Sequence, residues 1–342
     1  AHSLRCSPVM PSLDTITGVL LGTALGDAIG LPHEGLGPAR IARRLGSAEL
    51  GHGMVFGRGL LSDDTEHTCM VARALSEADG DLEGFTASLA RQFRCWMLSV
   101  PPGVGFATAR GTLRLLLGVS PDRSGVFSAG NGPAMRSALL GVCARDDVHL
   151  VDLVRASTCM THTDPRALDG AVFVARVARQ EAEQVLDAAI IEDIRDDAFR
   201  ERVAQAWSSE ADREAFRVEA GFERGVSGFV VHTIPAVVHC VRRHRGARDA
   251  IEAAIRLGGD TDTTGAIVGA IVGARHGVGG LPSSWVEGLS DWPLTVPEIH
   301  ALARSVAEGT PPPRQRWVAA IPRNIAFTLL LFGHIGLRWL GR

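Results

Sequence analysis

Apolar residues recur three and four positions apart along most of the chain, the spacing that places them on one face of an α-helix. The pattern predicts helices over Leu82–Leu98, Ala134–Ala144, Asp147–Cys159, Leu168–Ile191 and Phe229–Arg242. Alternating apolar and polar positions are rare, and no series of strands separated by turn residues is present. The sequence therefore predicts an all-α protein with more than about ten helices.

Polar and proline-rich segments predict where the compact domain begins and ends. A tail at residues 1–14 precedes the first helix, and the charged stretch from Glu192 to Arg224 is predicted to be a solvated helical insertion. Pro311-Pro312-Pro313 ends the compact part. We therefore expect one domain over residues 15–310 and a C-terminal helical extension over residues 311–342.

The C-terminal extension contains the apolar run Ile325–Phe332, which is too short to span a membrane. A helix that is apolar on nearly all sides must be buried somewhere. Docking on the chain's own helices is the preferred prediction, and a protein partner or a membrane surface are the alternatives.

Glycine recurs every fourth residue in two segments, at Gly18, Gly22, Gly26 and Gly30 and again at Gly265, Gly269, Gly273 and Gly277. Residues four apart lie on one helix face, so each segment is predicted to carry a glycine groove. Each glycine costs about 1 kcal/mol against alanine in a helix interior. Close approach of a neighbouring helix backbone is the expected compensation.

Composition excludes several classes of enzyme and partner. All 35 basic residues are arginine, so the chain has no lysine for a P-loop, a protein kinase, a pyridoxal Schiff base or a Ser–Lys dyad. A net charge of −3 and an isoelectric point near 6.5 provide no field to attract nucleic acid or an anionic membrane. We therefore expect neither as a partner.

Six cysteines are scattered singly, with no Cys-x-x-Cys pair and no histidine at zinc-finger spacing. This usage is typical of reduced, mostly buried thiols. No signal peptide with a cleavage site is recognised. A cytoplasmic location is therefore expected.

Two acidic clusters carry the candidate chemistry. Gly258-Gly259-Asp260-Thr261-Asp262-Thr263-Thr264 precedes the second glycine helix, and Ser62-Asp63-Asp64-Thr65 opens a helix predicted to reach Ala78. Helix capping is one explanation of both clusters. If they meet, their like charges raise one another's pKa unless cations lie between them, and all-oxygen ligation suits Mg²⁺ or Mn²⁺. Spacing alone leaves capping and a metal site equally open.

Two further polar segments lie between apolar helices. Gly130-Asn131-Gly132-Pro133-Ala134-Met135-Arg136 is a glycine loop followed by a predicted helix, where free N–H groups favour an anion such as a pyrophosphate. Thr161-His162-Thr163-Asp164-Pro165 holds a lone histidine, which in such a setting is more often structural than functional. No Gly-x-Ser-x-Gly, His-Glu-x-x-His or complete Gly-x-Gly-x-x-Gly motif occurs.

Taken together, these motifs resemble those of the ADP-ribosylglycohydrolase family. The matching segments follow the family's order over roughly residues 15–310, at residues 22–34 (GTALGDAIGLPHE), 62–65, 130–136, 161–165 and 258–263. Ser62 stands where the family usually has threonine, and it keeps the hydroxyl oxygen. The resemblance implies a compact multi-helix fold of that family with a centre of two divalent cations, Mg²⁺ or Mn²⁺.

The resemblance also implies roles for individual residues. The metal ligands would be Ser62, Asp63, Asp64, Asp260, Asp262 and Thr263. ADP-ribose would be bound by Glu34, Gly130, Asn131, Gly132, Met135 and His162. The catalytic carboxylate would be Asp63, Asp262 or Glu34, and the sequence does not choose the general base. Phe229 stands where many members have tyrosine, so that hydroxyl is lost.

The implied activity is metal-dependent release of ADP-ribose from an ADP-ribosylated protein, with the arginine N-glycosidic linkage as the first choice. An alternative keeps the fold and changes the substrate to O-acetyl-ADP-ribose or to a serine or nucleic-acid adduct. A second alternative is an immunity protein that neutralises an ADP-ribosyltransferase toxin by reversing the modification or by occluding its active site. The retained aspartates of both clusters argue against a catalytically inactive relative.

Overall fold

The computed structural model describes residues 11–78 and 80–340, with the helical backbone alone for Phe332 and residues 334–340. Over this range the chain forms seventeen α-helices and three short 3₁₀ turns, and extended pairing is limited to isolated bridges. The prediction of an all-α fold is therefore confirmed.

The helices follow one another with short connections. The N-terminal ones are α1 (Leu13–Gly30), α2 (Pro38–Leu45), α3 (Asp63–Ala78), α4 (Leu82–Leu98) and α5 (Phe106–Leu116). The middle ones are α6 (Gly132–Met135), α7 (Ala138–Cys143), α8 (Asp147–Cys159), α9 (Pro165–Ala182), α10 (Asp197–Ser208) and α11 (Arg213–Glu219). The last ones are α12 (Val230–Arg243), α13 (Ala247–Arg256), α14 (Thr261–His276), α15 (Ser283–Gly288), α16 (Val296–Glu308) and α17 (Trp317–Leu340). The predicted bounds of α4 and α8 are those observed.

Two predicted helices are shorter than their apolar patterns. The span Ala134–Ala144 breaks between α6 and α7, because the Arg136 side chain turns into the core and donates to the carbonyl oxygens of Gly132 and Ser157, at 2.8 and 3.0 Å. The span Leu168–Ile191 ends as a helix at Ala182, and Gln184 then adopts a left-handed backbone with φ of 58°.

The charged stretch from Glu192 to Arg224 contains α10 and α11 and its charged side chains are mostly exposed, as predicted, but a narrow apolar stripe of it is buried. α10 and α11 bury Phe199, Val203 and Phe216 in the core. The Phe216 ring stacks on His239 of α12, with 3.8 Å between ring centres. The high density of charged residues on the outer faces concealed this narrow apolar stripe.

The two glycine helices pack against each other. α1 and α14 run antiparallel, and a Cβ added to Gly22 would overlap the carbonyl oxygen of Gly269. A Cβ on Gly26 would overlap Gly265 in the same way, and one on Gly30 would lie 2.6 Å from the Cα of Asp262. The predicted close approach of backbones is therefore confirmed, and each glycine groove has the other as its partner.

The α1–α14 pair forms the centre of the core. The segment Leu13–His33 is long and apolar enough to cross a membrane, with a mean hydropathy of 1.3, yet 94% of that window is buried inside the protein. Neighbouring helices cover it on all sides, which is the behaviour of a core helix in a compact domain. Among the described cysteines none forms a disulfide, and Cys69 and Cys240 are buried.

The C-terminal helix α17 docks along one face only. Ala320, Asn324 and Phe327 are buried against the domain, whereas Val318 and Leu329 are exposed. Docking on the chain's own helices is thus observed for the buried face of the N-terminal part of α17. The side chains of Phe332 and of residues 334–342 lie outside the described part of the chain.

We predict that Gly22→Ala destabilises the protein strongly. Overpacking between two helix backbones has no flexible side chain to displace, so we expect a loss of at least about 2–3 kcal/mol in the free energy of unfolding. Gly51→Ala is the matched control, because a Cβ there would meet nothing within 4 Å. Chemical denaturation would measure both variants, and equal stabilities would contradict the packing argument.

Candidate active site

A cleft of about 670 Å³ opens where α1 ends and α14 begins. Every site residue predicted from the sequence lines this cleft except Ser62 and Asp64, which are buried behind it. The lining members are Glu34, Asp63, Gly130, Asn131, Gly132, Met135, His162, Asp260, Asp262 and Thr263. Segments more than two hundred positions apart in sequence therefore meet at one site.

The first acidic cluster is fixed by a buried carboxylate of α1. Asp27 Oδ2 accepts hydrogen bonds from the backbone N–H groups of Ser62 and Thr65, at 2.9 and 3.3 Å, and from the Thr65 hydroxyl. Asp27 thus stabilises the first turn of α3 together with the Ser62 hydroxyl, which accepts from the Asp64 N–H at 3.3 Å. This role was not foreseen from the sequence, although Asp27 lies within one of the matching motifs.

The second acidic cluster is fixed by the Gly258-Gly259 turn. Both glycines adopt left-handed backbones, with φ of 72° and 84°, which side chains rarely tolerate. Gly259 exchanges two backbone hydrogen bonds of 2.8 Å with Gly35 and Leu36. This pairing ties the loop that carries Glu34 to the start of α14.

The two clusters meet at Asp64. Its Oδ2 atom accepts hydrogen bonds from the hydroxyls of Ser62 and Thr263, each at 3.2 Å. One bond comes from the same cluster, and the other comes from α14. The juxtaposition expected from the sequence is therefore observed.

The carboxylates of the site raise one another's pKa. Burial raises the pKa of Asp63, Asp64 and Asp262 well above the usual range, and neighbouring negative charges add to the effect. Glu34 and Asp260 act in this way on Asp262. Burial likewise raises the pKa of Asp27 to about 6. The site without cations therefore favours bound protons.

Helix capping does not account for these aspartates. Asp260 occupies the N-cap position of α14, yet its side chain makes no capping hydrogen bond and accepts instead from the Asn131 amide at 2.7 Å. Asp64 and Asp262 each keep one buried oxygen without a hydrogen-bond partner. Unpaired buried carboxylate oxygens are costly unless a cation or a proton occupies the space beside them.

The donor set fits hard divalent cations, with one restriction. Among the described residues, no three carboxylate, imidazole or thiol groups are arranged to hold a metal ion by themselves. The hydroxyls of Ser62 and Thr263 lie beside Asp64 and would complete a set of oxygen ligands. Carboxylates from both clusters would then share the charge of the cations.

The glycine loop is held rigidly beside the acidic clusters. Asn131 Nδ2 donates to Asp260 and, at 3.0 Å, to the Thr233 hydroxyl. The buried Arg136 guanidinium joins the loop to Thr161, whose hydroxyl accepts at 2.9 Å. The helix expected behind this loop is only four residues long, so its dipole is weak and anion binding would depend on individual N–H groups.

His162 packs directly against the glycine loop. A Cβ on Gly130 would lie 2.9 Å from the Nε2 atom of His162, and the Nδ1 atom of the same ring is 2.8 Å from the Thr161 hydroxyl. Burial and the positive charge of Arg136 lower the pKa of His162 to about 3. The imidazole is therefore neutral at physiological pH, and it has a structural role as well as a place on the cleft wall.

Several lining residues were not predicted from the sequence. Two loops and the first turn of α5, all outside the predicted set, complete the cleft wall, and they contribute Gly103, Gly105, Phe106, Thr108, Arg224 and Ser227. Their clusters of glycine, proline and serine were the only local signal. Phe229 is not a lining residue, and its ring lies 5.3 Å below the Arg166 guanidinium.

Comparisons with known proteins agree on one family. A family model described as ADP-ribosylglycohydrolase matches residues 9–316. The ADP-ribosyl-[dinitrogen reductase] glycohydrolase of Rhodospirillum rubrum is 29% identical over 288 residues, which cover 81% of this chain and 90% of the relative. The ADP-ribosylarginine hydrolase Tri1 of Pseudomonas putida (strain GB-1) is 28% identical over 285 residues, covering 81% and 74%.

A solved structure described as an ADP-ribosylglycohydrolase-related protein complex superimposes with a TM-score of 0.65 and 27% identity. The superposition covers 87% of this chain and 98% of the chain in the solved structure. The family match contains every residue that lines the cleft, and it ends just before α17. Five short motifs, one helical fold and one acidic cleft therefore agree, and the chain belongs to the ADP-ribosylglycohydrolase family.

Proposed function

We propose that the protein hydrolyses the N-glycosidic bond between ADP-ribose and an arginine side chain of a modified protein, with Mg²⁺ or Mn²⁺ as cofactor. Its family consists of ADP-ribosyl hydrolases and is generally dependent on divalent metals. The observation that carries the proposal is the meeting of two acidic clusters with a glycine loop in one cleft. Such a cleft offers one end to cations and the other to a phosphate-bearing ligand.

The arginine linkage is favoured by two kinds of evidence. Two relatives, from Pseudomonas putida and Serratia proteamaculans, are named ADP-ribosylarginine hydrolases. The cleft surface also presents Glu34, which is outside the proposed metal ligand set and whose carboxylate suits a guanidinium leaving group. Linkages to serine or to an acetyl group would bring no positive charge to this surface.

The cleft walls suit the nucleotide part of ADP-ribose. A volume of about 670 Å³ accommodates an extended nucleotide diphosphate. Gly130 and Gly132 allow the ligand to approach the backbone, and Arg224 supplies positive charge for a pyrophosphate. His162, neutral because of its low pKa, can donate or accept one hydrogen bond there.

Two cations would be held between the two acidic clusters. The ligands would be Ser62, Asp63 and Asp64 on one side and Asp260, Asp262 and Thr263 on the other. Cations bound there would supply positive charge to orient the ribose hydroxyls and to favour deprotonation of water. Asp64 lies behind the cleft, and Asp260 on its surface accepts a hydrogen bond from Asn131, so we assign proton transfer at the reacting bond to Asp63, Asp262 or Glu34.

The reaction adds the elements of water across the bond from C1″ to the guanidinium nitrogen. The bond breaks with positive charge developing on the ribose, and the adjacent carboxylates stabilise that charge. The hydroxyl ends on C1″, and the proton ends on the released arginine. A toxin partner has no support in these features, and α17, which lies beyond the family match, does not line the cleft in its described part.

We predict that the protein releases free ADP-ribose from an arginine-ADP-ribosylated protein in the presence of Mn²⁺ or Mg²⁺, and that EDTA abolishes the release. Asp262→Asn keeps the shape of the side chain but weakens metal ligation, so we expect kcat to fall by about 100-fold or more. Asp212→Asn, a cap of α11 far from the cleft, is the control and should behave like the parent. Faster release from serine-linked or O-acetyl-ADP-ribose would instead favour the alternative substrates.

We predict that protons and cations compete at the site. The folded pKa of Asp27 is about 6 and those of Asp63, Asp64 and Asp262 are also raised, whereas an unfolded aspartate titrates near 4. In EDTA the contribution of these groups to stability is therefore largest below about pH 4 and is lost as pH rises through their folded pKa values.

The stabilisation by Mn²⁺ should accordingly increase with pH, because cations replace the lost protons. Thermal melts at about pH 5 and about pH 8, each with EDTA or Mn²⁺, would measure it. Asp262→Asn should reduce the difference in melting temperature between EDTA and Mn²⁺. A rise in melting temperature with Mn²⁺ that is the same at both pH values would contradict competition between protons and cations.

We predict that ADP-ribose stabilises the fold more than AMP does. A ligand at about 100 times its dissociation constant adds about 2.7 kcal/mol to the free energy of unfolding. AMP offers neither the pyrophosphate nor the distal ribose, so it should give a much smaller shift in melting temperature. Equal shifts at matched concentrations would show that the cleft does not hold the whole ligand.

A further inference from the structure

The chain that enters the first acidic cluster is held from behind by residues that do not touch the cleft. Leu61 directly precedes Ser62, and both of its backbone polar groups are bound by side chains. Its N–H donates to Asp291 Oδ2 at 2.7 Å, and its carbonyl oxygen accepts from the Arg323 guanidinium. The position of the cluster therefore depends on this pair.

Arg323 joins three separate parts of the structure. Its Nε and Nη2 atoms form a bidentate pair with the Asp291 carboxylate, in which the Nε donor lies 3.0 Å from Oδ1. Its Nη1 atom donates to Glu66 in the first turn of α3, at 3.3 Å. The Arg323 side chain is 10% exposed and that of Asp291 only 3%, so the charges are well shielded from solvent.

Arg323 is supplied by α17, which begins after the last residue of the family match at 316. The helix has a second polar anchor, because the Asn324 amide donates to the Ser99 carbonyl oxygen at 2.8 Å. Phe327 packs beneath the Arg323 guanidinium, 4.6 Å from its ring centre. The Asn324 amide oxygen also accepts from Arg323 Nη1, at 3.1 Å, so the anchor at the end of α4 supports the one at the acidic cluster.

We propose that Arg323 is a positioning residue of the acidic centre, through which the C-terminal helix controls the affinity of the site for divalent cations. This inference rests on the proposed metal site. Arg323 acts through two contacts: it fixes the Leu61 carbonyl next to Ser62, and it neutralises Glu66, one turn of helix from Asp63. Loss of Arg323 leaves the Glu66 and Asp291 carboxylates buried without their cation, and it frees the segment that carries the ligands.

The test is titration of the metal-free full chain with Mn²⁺ by calorimetry. We expect Arg323→Met to weaken Mn²⁺ binding by about tenfold or more, which is typical when a group that orients metal ligands is removed. Arg323→Lys should give an intermediate loss, because an ammonium cannot form the bidentate pair and reach Leu61 and Glu66 at once. This milder variant carries the test if Arg323→Met does not fold.

Ala320→Gly is the matched control on the same helix. It replaces a buried alanine of α17 by the poorer helix former and should lower the melting temperature, while the hydrogen bonds of Arg323 and the Mn²⁺ affinity stay as in the parent. Unchanged Mn²⁺ affinity in the Arg323 variants would overturn the positioning role and leave the proposed function intact. An equal loss in Ala320→Gly would also overturn it, since general undocking of α17 would then be the cause. A parent protein that binds no Mn²⁺ would overturn both the inference and the metal site.

Discussion

The direct contact between the backbones of α1 and α14 is the constraint on which the rest of the structure depends. Side chains at Gly22, Gly26 or Gly269 would push the two helices apart. Because they are antiparallel and in close contact, the end of α1 lies against the beginning of α14, with Gly30 beside Asp262. The cost of glycine in two helix interiors is thereby compensated by packing, and the packing places the loop of Glu34 at the acidic cluster.

The same arrangement concentrates negative charge in one place. Asp27 accepts hydrogen bonds from the start of α3, and Asp260 accepts one from Asn131. Part of the hydrogen-bonding capacity of these two carboxylates is therefore used within the protein. The oxygens left unpaired on Asp64 and Asp262 are the ones available for a ligand. Unpaired buried oxygens and crowded negative charges cost the fold stability, which is the usual compromise at a preorganised functional site.

α3 is the element that connects the domain to its C-terminal extension. Its first turn is fixed by Asp27 from the core side and by Arg323 from α17, while Arg73 further along pairs with Glu298 and donates to the Pro313 carbonyl oxygen. The segment beyond the family match therefore lies against the helix that opens the acidic cluster. Its outward face, with Val318 and Leu329, makes no comparable contact among the described residues.

The sequence by itself determined the helical class, the bounds of α4 and α8 and the two glycine faces, because these leave local or periodic signals, and its short motifs identified part of the cleft lining. Metal ligation, ADP-ribose contacts and the choice of general base remain predictions from that pattern. Only the tertiary structure decided that the glycine faces pair with each other and that the helix after Pro133 breaks at Arg136. It also decided that α10 and α11 bury a narrow apolar stripe, and that Arg323 reaches Leu61 across 262 positions of sequence. Such contacts depend on which distant segments become neighbours, and neither periodicity nor composition records that choice.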